Sequence, residues 1–133
     1  SDKKIVDDLI SIMTINKLDY TNTFAILSFK KKSYETYFKS QDLINWYNNW
    51  ENRIKQLDNY QNSIELMKKN NPKTIPRNYL VESVINNAVN GNLSDFFNLL
   101  DQIKSAYNYD DNDFVFQEVP NEFDLNYKTF CGT

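Results

Sequence analysis

The stretch "SQDLINWYNNWENRIKQL", residues 40–57, decides the fold class of this chain. Its apolar side chains recur three or four positions apart, at Leu43, Trp46, Tyr47, Trp50, Ile54 and Leu57. That spacing places them on one side of an α-helix, and Ser40 stands before it as a residue that can cap its first turn. We interpret the two tryptophans as core residues rather than as a platform for a base or ligand, because their spacing is helical.

The same periodicity occurs on both sides of this stretch. Before it, an apolar stripe runs from Ile5 to Met13, and "LDYTNTFAILS" (18–28) predicts a short helix capped by Thr21 or Asn22. After it, we expect a helix over 60–69, one capped by Asn78 and one capped by Ser94. Their inward residues would be Ile64, Met67, Val81, Val84, Ile85, Ala88, Phe96, Leu99, Leu100 and Ile103. Gly91 lies where a left-handed residue ends a helix, so the last two helices should form an antiparallel hairpin.

The pattern changes from Tyr107 onward into acidic and aromatic residues. We therefore predict an all-α fold, a single helical domain of about five to six helices over residues 1–106, with an extended tail over 107–133. Within the tail, "DDNDFVFQEVPNE" (110–122) has the outline of a calcium loop. Val115 and Phe116 occupy the positions where such a loop needs an oxygen ligand and a glycine, so we interpret it as an acidic, solvated loop.

The residue types that are missing limit the chemistry of the chain. Its 133 residues include no histidine, one cysteine and two widely separated glycines. Histidine is the commonest general base and metal ligand, and clustered glycines build phosphate-binding loops. A single cysteine excludes an internal disulfide and a cysteine-based zinc site. We expect no cofactor, no metal and no catalytic residue in this chain, and no activity from it alone.

Charge and hydropathy indicate which partners to expect. The net charge is −3, and the hairpin that resembles a helix-turn-helix carries Asp95 and Asp101 against Lys104 in its second helix. Nucleic acid binding is therefore not expected. The longest apolar run is 24–27, too short for a membrane span. The charged start, with no apolar segment after it, and the heavy use of Asn, Lys, Ile and Tyr lead us to expect a cytoplasmic, bacterial protein.

The segment "NPKTIPRN", residues 71–78, interrupts the helices. Pro72 and Pro76 lack an N–H donor and disfavour helical angles in the residues before them, which predicts an extended or turning link. Arg77 is held by this constrained backbone. It can clamp a carboxylate or phosphate, or it can tie the loop to carbonyls or an acidic neighbour, and we favour the second interpretation.

Several stretches together resemble one known family. "LDYTNTFAILS", "NPKTIPRNYLVESVINNAVNGNLSDFFNLL" and the ending "YKTFCGT" are similar to the C-terminal region of the selenoprotein O family, the kinase-like (pseudokinase) protein adenylyltransferases. The resemblance implies a parent enzyme that moves AMP from ATP onto hydroxyl side chains of protein substrates, with Mg²⁺ or Mn²⁺. The family's catalytic residues lie in a kinase-like core that precedes the matched region, so none is carried over to this chain.

The resemblance also assigns expectations to particular residues. Asn71, Pro72, Pro76, Arg77 and Asn78 would have a structural role or a role in docking on the N-terminal kinase-like core of the same polypeptide. Some family members carry selenocysteine where this chain has Cys131. We hypothesise a redox-sensitive bridge from Cys131 to a cysteine of the core, with an inert exposed thiol as the alternative. The rival to the whole interpretation is a free-standing helical protein–protein interaction module that binds through its aromatic tail.

Overall fold

The computed structural model of the protein describes residues 1–29, 37–109 and 117–119. Within these ranges the chain forms six helices and no strand: α1 (Asp2–Ile15), α2 (Tyr20–Phe29), α3 (Gln41–Lys55), α4 (Tyr60–Asn70), α5 (Asn78–Val89) and α6 (Ser94–Lys104). The predicted all-α class is confirmed. Cys131 and the calcium-like stretch up to residue 116 lie outside the described residues, and the predicted division at residue 106 stays a prediction.

The chain divides into two compact units, Ser1–Lys73 and Thr74–Thr133. In the first unit α1 packs on α3, α2 packs on α4, and α3 contacts α4. The core helix is α2, which buries six of its ten residues: Asn22, Thr23, Ala25, Ile26, Leu27 and Ser28. Its buried hydroxyls bond to carbonyls one turn back, Thr23 to Asp19 at 2.7 Å and Ser28 to Phe24 at 2.8 Å. A helix that is buried on most sides needs such internal partners for its polar groups.

Helix α3 forms where the 40–57 pattern predicts it. The Ser40 hydroxyl accepts a hydrogen bond from the Leu43 N–H at 3.2 Å, which confirms the predicted cap. Leu43, Trp46 and Tyr47 are buried, and the Trp46 indole donates to the Ile5 carbonyl of α1 at 2.8 Å. The inward prediction for Leu57 is wrong, because α3 ends at Lys55 and Leu57 is 40% exposed.

The predicted cap of α2 is wrong by two or three residues. The helix begins at Tyr20, and the Asp19 carboxylate accepts from the Asn22 N–H at 2.8 Å. A capping side chain must lie one residue before the helix, where it can reach the free N–H groups of the first turn. Thr21 and Asn22 are already inside the helix.

The starts of α5 and α6 are also shifted from the predicted caps. Asn78 is the first residue of α5, and the cap position is held by Arg77, whose side chain makes no capping hydrogen bond. Ser94 is the first residue of α6, and the Asn92 side-chain oxygen accepts from both the N–H (3.0 Å) and the hydroxyl (2.7 Å) of Ser94. Both predicted caps are therefore wrong by one residue.

The turn between α5 and α6 confirms the predicted hairpin. Gly91 has a φ of 87°, the left-handed conformation that glycine adopts without strain. The Gly91 N–H bonds to the Ala88 carbonyl at 3.0 Å, and the Asn92 N–H bonds to the Asn87 carbonyl at 2.9 Å. These are the two bonds of a Schellman motif, which satisfy the last carbonyls of α5.

The inward stripes of α5 and α6 are only partly confirmed. Val84 is buried, but Ile85 is 56% exposed and Phe96 is 44% exposed, so the inward predictions for these two are wrong. No residue of α6 is fully buried. Among the residues that the structure describes, no helix is long and apolar enough to cross a lipid bilayer.

Candidate functional site

Residues 71–79, which comprise the link between α4 and α5 and the first two residues of α5, contain the predicted docking motif, and we call them the proline segment. Its first residue, Asn71, directly follows α4 at the C-cap position, and the Asn71 side-chain amide donates to the Ser28 hydroxyl at 3.0 Å. Ser28 lies fully buried in α2. This end of the proline segment is therefore tied to the core helix of the first unit.

The prolines shape the segment as predicted, since it contains no helical residue before α5. The Arg77 N–H bonds to the Ile75 carbonyl at 2.8 Å across Pro76, which closes a three-residue turn. Arg77 itself is extended, with φ −64° and ψ 141°. This turn directs the Arg77 side chain into a buried position, with 8% of it exposed.

Arg77 and Ile75 share one partner in the second unit, the side-chain amide of Gln117. The Gln117 oxygen accepts from the Ile75 N–H and from the Arg77 Nε, each at 3.0 Å. The Gln117 nitrogen donates to the Ile75 carbonyl, also at 3.0 Å. The amide thus bonds to both backbone groups of Ile75, as a neighbouring β-strand would. This Arg77 contact is with a neutral amide oxygen.

A second contact holds the same part of the tail. The Tyr79 hydroxyl donates to the Glu118 carbonyl at 2.5 Å. We call Gln117 and Glu118 the tail anchor. Sequence reasoning missed it, because the contacts join residues 39 to 42 positions apart and a side-chain amide bonded to backbone has no periodic signature.

A cavity lies between α5 and α6, and its lining can be compared with what a bound nucleotide requires. Its volume is about 270 Å³ and it is lined by Leu80, Ser83, Val84, Asp95, Asn98, Leu99 and Gln102. The lining contains a carboxylate and no cation, and Asp95 accepts a hydrogen bond from the Asn87 amide at 2.6 Å. A triphosphate needs cations or clustered N–H groups. The cavity therefore does not fit ATP.

Carboxylates that would hold a divalent metal are not brought together either. Across residues 1–29, 37–109 and 117–119, no three Asp, Glu or Cys side chains cluster in a way that could hold a metal ion. The proline segment and the tail anchor fix backbone by hydrogen bonds, and the side chains of Lys73 and Arg77 are buried.

Comparison with known proteins identifies the family. Residues 1–104 match the family model described as protein adenylyltransferase SelO. The chain belongs to the SelO family. It is 37% identical over 134 residues to the protein nucleotidyltransferase YdiU of Clostridium perfringens and 40% identical over 136 residues to that of Clostridium botulinum. The YdiU protein of Anoxybacillus flavithermus is 37% identical over 134 residues. No solved structure matches the chain.

The range of the SelO match includes some of the candidate residues and not others. These alignments cover 99–100% of the chain but only 27% of each relative. The chain therefore spans about a quarter of the length of the curated SelO-family proteins it matches. The proline segment lies inside the range of the family model, whereas the tail anchor and Cys131 lie beyond residue 104 and within the alignments to the relatives.

Proposed function

We propose that this chain is the C-terminal helical domain of a protein adenylyltransferase. In this proposal a kinase-like core precedes it in the same polypeptide and transfers AMP from ATP to hydroxyl side chains of protein substrates. The observation that carries the proposal is the SelO match over residues 1–104 in a chain that spans 27% of its relatives. We place the enzyme in the bacterial cytoplasm, where ATP is available.

The role proposed for the domain is support of the core rather than chemistry. The α5–α6 cavity lacks a cation for phosphate, and the proline segment uses Arg77 to hold Gln117. Binding of ATP and of Mg²⁺ or Mn²⁺ is therefore assigned to the core, with the proline segment as a structural and docking element. The chemistry of phosphoryl and nucleotidyl transfer depends on positioning, so a domain that stabilises the core also supports catalysis.

Cys131 extends the proposal to regulation. A disulfide between Cys131 and a cysteine of the core would tie down the end of the tail under oxidising conditions, and both thiols would pass their protons and electrons to a disulfide that is reduced in exchange. Thiol labelling of the full-length protein tests this. Cys131 should react more slowly in oxidised than in reduced samples, and equal rates would indicate an inert thiol.

The alternative function is a free-standing helical interaction module without an enzymatic parent. Both functions expect this chain alone to be inactive, so assays on residues 1–133 do not distinguish them. The length of the native gene product does. A kinase-like core encoded upstream of Ser1 supports the adenylyltransferase, and a start codon immediately upstream supports the module.

The deciding experiment uses the full-length protein with ATP, Mg²⁺ or Mn²⁺ and a mixture of bacterial proteins. ATP labelled at the α-phosphorus should transfer its label to protein, because the AMP moiety moves. ATP labelled at the γ-phosphorus is the matched control and should leave no label. Transfer of the γ-label alone would show a conventional kinase and contradict the proposal.

A further inference from the structure

The turn end of the α5–α6 hairpin exposes a group of apolar side chains, which we call the hairpin tip. Its members and their exposed fractions are Ile85 (56%), Val89 (81%), Leu93 (52%), Phe96 (44%) and Phe97 (55%). Ile85 and Val89 are four residues apart in α5, and Leu93 and Phe97 are four residues apart at the start of α6. The members of each pair therefore lie on the same side of the hairpin. The rings of Phe96 and Phe97 touch edge to face with centroids 5.4 Å apart.

The hairpin tip differs from an ordinary exposed turn in its lack of charge. No charged residue occurs from Ser83 to Ser94, although 25% of the chain is charged. Exposed turns are usually polar, and single exposed apolar residues are common, but a group of five at one turn is not. Depletion of charge together with aromatic residues is typical of the buried centre of an interface.

The hairpin tip is also held in one shape before any partner binds. The Schellman motif at Gly91 closes the turn, Asn92 bonds to Ser94, and the Asn87 amide donates to Asp95 at 2.6 Å. A preformed surface loses little conformational entropy when it docks. Because these bonds fix the backbone of the turn, its apolar side chains stay exposed to solvent.

We propose that the hairpin tip docks on the kinase-like core of the same polypeptide; this rests on the proposed function. The relatives extend well beyond this chain, which covers 27% of their length, so in a protein of this family the remaining chain is tethered to the tip. Tethering gives an effective concentration in the millimolar range for short flexible linkers, far above that of a second copy in dilute solution. The tethered core is therefore the partner that we expect the uncharged hairpin tip to contact.

Nucleic acid does not suit this surface. Between the flanking residues Glu82 and Asp95 the hairpin carries no cation that would neutralise phosphates. The occupant must instead offer an apolar recess for Val89 and the two phenylalanines. Docking of this kind would also explain why no side chain of α6 is fully buried in this structure.

Hydroxyl-radical footprinting of the full-length protein tests the docking. The oxidation rate of Phe96 and Phe97 in the folded protein, divided by that in the urea-unfolded protein, should fall to the low ratio of Phe38, which is 1% exposed here. A ratio near that of an unprotected aromatic would overturn the proposal. Protection that disappears on dilution would point to a second copy of the chain and would overturn it as well.

A pair of matched variants tests the same surface by stability. Val89→Asp should lower the melting temperature of the full-length protein by several degrees more than Ile15→Asp. Each residue ends its helix, and the exposed fractions are 81% and 78%, so the local effects of the new charge are alike. Equal losses would overturn the docking. AMP transfer measured in the same samples is a separate readout: its absence from the unmutated protein contradicts the proposed function, not the docking.

Discussion

Lys17 adopts a backbone conformation that its side chain disfavours. It has a φ of 51°, the only positive value among the non-glycine residues that the structure describes. The Lys17 N–H bonds to the Thr14 carbonyl at 3.3 Å, and the Leu18 N–H bonds to the Met13 carbonyl at 2.9 Å. Helix α1 therefore ends in a Schellman motif with lysine where glycine is usual. The sequence does not reveal this ending, because the residue that normally marks it is absent.

Replacement of Lys17 by glycine should stabilise the protein. A left-handed non-glycine residue costs roughly 1 kcal/mol, and glycine removes most of that cost. Lys17→Gly should therefore raise the melting temperature and the free energy of unfolding by about 0.5–1 kcal/mol. Lys17→Ala is the control, since alanine removes the charge but keeps the strain, and it should change little. An equal gain from both variants would show that the charge was the cause.

Asp2 and Arg53 form an exposed ion pair that joins α1 to α3. The Arg53 Nε lies 2.8 Å from one Asp2 oxygen, and its Nη2 lies 3.2 Å from the other. The hydrogen bond and the charge of Arg53 lower the pKa of Asp2 below its ordinary 3.8, and Asp2 raises the pKa of Arg53. This two-bond geometry is favourable, although solvent weakens the pair.

The lowered pKa of Asp2 predicts the pH dependence of that contribution. A carboxylate whose pKa is lower in the folded state stabilises above its unfolded pKa, and the effect is lost as pH falls through the folded pKa. Asp2→Asn should therefore lower the melting temperature at pH 7, and its difference from the unmutated protein should begin to shrink near about pH 4 and close below the lowered pKa of Asp2. Asp7→Asn, on the same helix, is the control. A difference that is constant with pH would rule out the ion pair as its source.

At the scale of elements, local signals made most helices predictable. The spacing in 40–57 indicates α3, and Gly91 indicates the turn, because both signals lie within the element they specify. The position of α2 at the core was not predictable, since its apolar run of 24–27 is short and its burial depends on tertiary packing, such as that against α4. Caps were misplaced by one to three residues where Asp19 or Asn92 competes with neighbouring polar residues.

Of the candidate site, the proline segment was predictable from the sequence and its partner Gln117 was not. Pro72 and Pro76 mark the proline segment in the sequence, because proline acts on its own backbone and on the residue before it. Gln117 gives no such mark. Its role depends on a meeting between residues 42 positions apart, which follows from the tertiary fold and not from local pattern.

Removal of the Gln117 side chain should loosen the tail anchor. Gln117→Ala leaves the Ile75 N–H and carbonyl and the Arg77 Nε without this partner in a partly buried place. We expect a loss of about 2 kcal/mol in the free energy of unfolding, with faster hydrogen exchange at the Ile75 amide. Denaturant titration and exchange measured by mass spectrometry provide the two readouts.

Glu118→Ala is the matched control for the tail anchor. Tyr79 bonds to the backbone carbonyl of Glu118, which the substitution keeps, so stability and exchange should stay close to those of the unmutated protein. If Gln117→Ala and Glu118→Ala behave alike, the Gln117 amide contributes nothing of its own.

At the scale of the whole molecule, most of the buried apolar residues lie in the first unit. Among the described residues, ten of the thirteen buried apolar residues belong to the first unit, whereas the large apolar residues that are 40% or more exposed number six in each unit. This distribution suits a domain whose first unit is stable by its own core and whose second unit meets other parts of a larger protein. It agrees with a chain that covers 27% of its SelO-family relatives.

We expect ATP to bind to the full-length protein that we propose and not to residues 1–133 alone. A ligand stabilises a protein only when it binds the folded state, by about 2.7 kcal/mol at a concentration of 100 times its dissociation constant. ATP with Mg²⁺ or Mn²⁺ should therefore raise the melting temperature of the full-length protein and leave that of residues 1–133 unchanged. The metal without ATP is the control for each. A rise for residues 1–133 with ATP would mean that these helices hold the nucleotide themselves, even though the α5–α6 cavity offers Asp95 and no cation to a triphosphate.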